Sequence, residues 1–221
     1  MRSYQQFCPA ARALDVVGER WTLLVVRELL TGPKRYTDLQ DGLPGIGPNV
    51  LAQRLRSLES AALVQKRRLP PPAASTVYEL TELGSGLDSV MTSLFQWGLQ
   101  LAGAPTRGDA VRASYWLPAI QQAVRPGALP KDVDDTYEFR VGDERIVVTA
   151  SGGEVEVTPG EAEEPDLVIT TDHETLAGLG RGAITPLQAI EEGRLSVEGD
   201  PAAAERCAEL FGAAASADAG T

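Results

Sequence analysis

The stretch from Leu43 to Leu63 constrains this chain most, because a turn rich in glycine and proline there feeds a single two-faced helix. Pro48 suits a first helical position, where its missing N–H would be unpaired anyway, and Gly47 can serve as a modest N-cap. The helix is therefore expected from about Asn49. At about 100° per residue, Leu51, Leu55, Leu58 and Ala62 fall on one stripe. Asn49, Gln53, Arg56 and Ser60 fall opposite, with Val50, Arg54 and Ser57 beside them. Asn, Gln and Arg carry the paired donors and acceptors that match base edges in a DNA major groove. No catalytic chemistry needs that set, yet an ordinary amphipathic surface helix would look similar, so its surroundings decide.

Upstream, residues 12–17 read as a short helix ending at Gly18. Trp21 to Leu30 reads as an apolar helix stopped by Gly32-Pro33, with Trp21, Leu24, Val25 and Leu29 buried. Thr37 is an N-cap candidate for a short helix reaching about Asp41. Helix, turn and second helix make a helix-turn-helix, whose second member enters the groove. Downstream, Val64–Leu69 and Thr76–Leu80 read as two strands of a hairpin, a wing whose Lys66, Arg67 and Arg68 can each neutralise a phosphate. Lys34, Arg35 and Thr37 at the turn join the expected DNA-contacting set. Thr81 then opens a helix whose Leu83, Leu87, Val90, Met91, Leu94 and Leu101, widened by Phe95 and Trp97, offer a dimer face.

The formal net charge of −11 argues against nucleic acid until it is divided. Residues 1–100 hold 11 Lys and Arg against 9 Asp and Glu, +2; residues 101–221 hold 9 against 22, −13. From Thr31 to Pro72 there are seven cations and three anions, a local excess of +4 around the candidate reading helix. The acidity belongs to the second half, and the first keeps a phosphate-facing patch.

By this point the sequence resembles the HxlR family of bacterial winged-helix transcription regulators. The resemblance is carried by Cys8-Pro9, Leu14 to Leu24, Arg27-Glu28-Leu29-Leu30, Leu43-Pro44-Gly45-Ile46, Leu51 to Leu55 and Tyr78-Glu79-Leu80-Thr81, and it covers residues 7–98. Gly47 stands where the family usually has a capping residue such as Ser, and Ala62 where Gly commonly precedes Leu-Val. The resemblance implies a homodimer binding a palindromic double-stranded DNA operator. It also raises a redox role for Cys8, since some members sense oxidants through a cysteine in this region.

A small, polar stretch at 102–109 marks the charge boundary and reads as a linker between a domain at 1–101 and another at 110–211, with a disordered tail at 212–221. In the second domain residues 111–124 read as helical with a break near Pro118. Thr136–Val141, Arg145–Ala150, Glu154–Val157 and Asp166–Thr171 read as strands of an antiparallel sheet, and Asp172, Thr185-Pro186 and Asp200-Pro201 each open a helix. This order, with Gly182 to Pro186 and Gly193 to Pro201, resembles the sterol-carrier-protein-like fold, in which a sheet and helices enclose an apolar cavity. The expected class is thus α+β with two domains. The resemblance points to a small apolar or aromatic effector, for which Trp116, Leu176, Leu179, Leu187, Ile190 and Phe211 are the candidate pocket residues.

His173 is the only histidine and has no metal-ligand spacing around it. Cys8 and Cys207 are far apart, which suits a reducing compartment, and no apolar run approaches the roughly 20 residues that span a bilayer. The acidic run from Glu161 to Asp166 reads as a solvated loop. No metal, cofactor or catalytic residue is expected, and the protein is expected in the cytoplasm. Three classes stay open: a DNA-binding regulator with an effector domain, a regulator whose second domain is only an assembly or partner-binding module, and an enzyme, for which no nucleophile, base or metal speaks.

Overall fold

The computed structural model describes residues 3–72, 74–101 and 106–212. The chain divides into two compact units, Met1–Ser93 and Leu94–Thr221. Of the expected linker, residues 102–105 lie outside the described residues, and so does the expected tail from residue 213.

The first unit begins with α1 (Pro9–Val17) and α2 (Thr22–Leu30). In α2 the buried positions are Thr22, Val25, Val26, Glu28 and Leu29, whereas Leu24, expected in the core, is exposed and Trp21 is half-buried. The run Leu23–Val26 is apolar all round, so only the tertiary contacts select its inner stripe. Next comes α3 (Tyr36–Gly42), where the cap corrects the expectation: the N-cap is Arg35, whose backbone N–H donates to the Asp38 carboxylate at 3.0 Å. Thr37 sits instead in the first turn and is exposed.

Helix α4 (Pro48–Ser60) follows, with Pro48 in its first turn as anticipated. It ends two residues before Ala62, which is exposed and lies off the apolar stripe, at φ +56°. There Ala62 N–H bonds to Glu59 O and Leu63 N–H to Leu58 O, the six-to-one closure in which a left-handed residue ends a helix. The hairpin β1 (Val64–Arg68) and β2 (Thr76–Leu80) pairs antiparallel with Val64 opposite Leu80 and Lys66 opposite Tyr78. The single helix expected from Thr81 is two, α5 (Glu82–Ser85) and α6 (Asp88–Leu99), separated at Gly86-Leu87. Gly84, inside α5, leaves room for the Leu63 carbonyl, which a Cβ there would run into.

In the second unit a 3-10 turn (Ala113–Tyr115) precedes α7 (Leu117–Ala123), so Pro118 starts a helix instead of breaking one. Strands β3 (Asp134–Val141), β4 (Glu144–Ser151), β5 (Glu154–Pro159) and β6 (Leu167–Thr171) lie where alternation placed them. A fifth, β7 (Leu195–Gly199), completes a sheet of order β5-β4-β3-β6-β7. All its ladders are antiparallel except the central one, where β3 and β6 run parallel, Tyr137 beside Leu167. The chain between β5 and β6 therefore crosses the sheet instead of turning back. Helices α8 (His173–Gly180), α9 (Pro186–Glu191) and α10 (Pro201–Leu210) are capped by the Asp172, Thr185 and Asp200 side chains. The core gathers Leu117, Ile120, Tyr137, Ile146, Val148, Leu167 and Leu210.

Candidate nucleic-acid interface

Helix α4 is fixed from one side and free on the other. Leu51, Leu55 and Leu58 are at most 1% exposed, packed with Val25, Val26, Leu29 and Leu39 in the first unit's core. The Tyr36 hydroxyl donates to Pro48 O at 2.7 Å, tying α3 to the first turn of α4. With the helix pinned at its start and along its inner face, Asn49, Gln53, Arg56 and Ser60 are left exposed together. Ser57 is half-buried, and Val50, also half-buried, leans on the core.

The turn ahead of this pair is stitched to the wing. Lys34 N–H donates to Tyr78 O at 3.0 Å and Tyr78 N–H to Lys34 O at 2.8 Å, an antiparallel bridge that joins turn and hairpin. Beneath the turn Glu28, 3% exposed, takes hydrogen bonds from Arg27 and lies 3.5 Å from Lys34 Nζ. A buried carboxylate needs such partners, because an uncompensated charge there would be costly. Sequence reasoning missed Glu28; its signal was a charged residue at i+3 from Val25, on the buried stripe of an apolar helix.

The cations expected at the surface are held in different ways. Arg54 is turned inward, its side chain 12% exposed and 3.6 Å from Glu19. Lys66 lies 3.1 Å from Glu59 and over the Tyr78 ring, and Arg67 donates to Glu79 at 2.7 Å. Arg35, Arg56 and Arg68 are exposed and stand in no ion pair among the described residues. Along α6, Val90, Leu94 and Trp97 are exposed at spacings of four and three residues, with Leu101 following just past the helix end. Cys8 is exposed at the N-cap of α1, while Cys207 is buried.

In the second unit the six candidate effector residues stand in different surroundings. Trp116 stacks on His173, Leu179 and Phe211 pack against the core, and Leu176 is half-buried. Leu187 and Ile190 are exposed, because the short α9 turns only Ala189 fully inward. A cavity of about 280 Å³ lies elsewhere, lined chiefly by Val124, Leu129, Val133, Ala150, Val155 and Leu210, with Gln121, Arg125 and Glu154 as polar groups. Among the described residues no cluster of His, Cys, Asp and Glu could hold a metal ion, and no helix is long and apolar enough to cross a membrane.

Residues 16–104 match the model of the HxlR-like helix-turn-helix family, and residues 120–212 that of the SCP-2 sterol transfer family. The HTH-type transcriptional regulator YodB of Bacillus subtilis is 34% identical over 94 residues, 42% of this chain and 84% of that protein. The uncharacterised HTH-type regulator Rv3095 of Mycobacterium tuberculosis is 40% identical over 87 residues, 39% of this chain and 54% of that one. Among solved structures, the reduced form of YodB from B. subtilis shares 31% identity, covering 46% of this chain and all of the other with a TM-score of 0.39.

Proposed function

This chain belongs to the HxlR-like helix-turn-helix family of transcriptional regulators, and from that premise we propose that it binds a palindromic operator as a cytoplasmic homodimer, reading bases with α4. The observation that carries the reading is the outward face Asn49, Gln53 and Arg56 on a helix whose opposite face is fully buried. Val90, Leu94 and Trp97 on α6 supply the apolar contact for a second copy, which would set two reading helices about one DNA turn apart. Genome-wide mapping of bound DNA supplies the operator. On it, Arg56→Ala should lose about 1–3 kcal/mol and relax preference at one base pair, whereas Arg68→Ala should weaken all sequences alike. Wild-type operator affinity in both variants would refute the assignment.

The domain at about 110–211 we assign to a small apolar or aromatic effector, held in the cavity beside Val124, Val155 and Leu210. Its volume lies at the lower edge of small-molecule pockets. A bound effector shifts DNA affinity only by its differential affinity for the two conformations, typically about 5- to 150-fold. Val155→Trp should fill the cavity and abolish any effector response while leaving operator binding by the free protein unchanged. A second reading, an assembly module, is favoured by the exposure of Leu187, Ile190 and Val197. It predicts an oligomer that Ile190→Glu dissociates. A redox role for Cys8 draws on its exposure, and unchanged operator binding by Cys8→Ser with and without diamide would reject it.

A further inference from the structure

We propose that Glu59 and Glu79 set the DNA selectivity of this chain by holding the wing cations Lys66 and Arg67 in intramolecular ion pairs, which suppresses sequence-independent contact with duplex phosphates. The inference rests on the DNA-binding reading above. Arg67 Nε donates to Glu79 Oε2 at 2.7 Å and Gln65 Nε2 donates to Glu79 Oε1 at 3.0 Å, so both carboxylate oxygens are engaged. Lys66 Nζ lies 3.1 Å from Glu59 and 5.2 Å from the Tyr78 ring centre. The Arg67 hydrogen bond holds the Glu79 carboxyl below its ordinary range, and the Glu59 hydrogen bond raises the Lys66 ammonium above its own.

Pairs this exposed add little to stability. They do change the charge on offer to DNA. Of the three successive cations in β1, Arg68 alone stands outside an ion pair among the described residues. A phosphate that approaches Arg67 must displace Glu79, leaving that carboxylate uncompensated, or meet a neutral pair, and either outcome offsets the gain from counterion release. Successive strand residues point to opposite faces, so the two masks act separately. Arg56 on α4 carries no such mask, and the balance of attraction shifts from the wing, which reads no bases, to the helix that does.

The test is a salt titration of the full chain against a short duplex of random sequence, read by fluorescence anisotropy. One additional phosphate contact steepens log K against log salt by about 0.9, or about eightfold in affinity at 0.1 M. Glu79→Gln should show that steepening, Glu59→Gln the same, and Glu79→Gln in an Arg67→Gln background none. The proposal is overturned if wild type binds with a normal salt slope and neither single variant changes it. It is equally overturned if the Glu79→Gln gain persists without Arg67, since removal of any negative charge would then suffice. Salt-independent or absent binding by wild type and every variant would instead bring down the DNA reading itself.

Discussion

Asp135→Ala should detach α10 from the sheet of the second unit. Asp135 is 4% exposed and accepts the Tyr137 hydroxyl at 2.7 Å and two bonds from the Arg206 guanidinium at 2.6 and 2.7 Å. Tyr137 has no exposed surface, so losing the carboxylate strands its hydroxyl, at about 1–3 kcal/mol. Arg206 keeps 29% of its side chain exposed and can rehydrate, which places the whole loss near the lower end of the range for breaking a buried pair, about 3 kcal/mol. The reporter is the neighbouring residue of α10. Cys207 is 8% exposed and burial pushes its thiol up to about 12, so it reacts only when the helix opens. At 1.36 kcal/mol per decade, about 3 kcal/mol is a roughly 150-fold faster thiol labelling. The measurement uses the full chain carrying Cys8→Ser, which removes the exposed thiol. A labelling rate in the same decade as the parent would refute the claim that this clasp holds α10.

The same groups give a pH profile. The Arg206 hydrogen bonds hold Asp135 below its unfolded value of about 3.9, so their contribution is present above that pH and lost as pH falls through the folded value; melts from neutral to acid should decline less in Asp135→Asn. Burial raises Tyr137 and Cys207, so the unfolded chain ionises first and stability should fall above about pH 9, with Tyr137→Phe flattening the upper part of that decline. Ala62→Gly should raise the stability of the first unit by about 1 kcal/mol in denaturant titration, because φ +56° penalises any side chain. Trp97→Glu should shift the protein from dimer to monomer in sedimentation without altering its circular dichroism.

How much of this was legible beforehand depended on the range of the determining interaction. Helix α4 was written in local periodicity, and Leu51, Leu55 and Leu58 against Asn49, Gln53 and Arg56 needed no partner to be assigned. The caps at Asp172, Thr185 and Asp200 were equally local, each a side chain bonding a backbone N–H two or three residues on. By contrast, the burial of Glu28, the exposure of Leu24 and the parallel pairing of β3 with β6 depend on residues distant in sequence. Strand β7 was concealed in a similar way: of Leu195–Gly199 only Leu195 is buried, and its pairing with the distant β6 is what orders the rest.

The candidate interface divides along the same line. Which residues of α4 face outward follows from their spacing, but which cations are at liberty does not. Arg54 meets Glu19 across 35 positions, and Arg67 meets Glu79 across 12, so a count of positive charges overstates what the wing can offer a phosphate. The cavity beside Val124 and Leu210 is the extreme case. Its walls come from α7, the loop before β3, two strands and the end of α10, and its volume is what their packing leaves unfilled. No periodicity encodes a remainder of that kind. Of the apolar residues expected around an effector, Leu179 and Phe211 pack against the core and Leu187 is exposed, because hydrophobicity marks a residue for contact without saying with what.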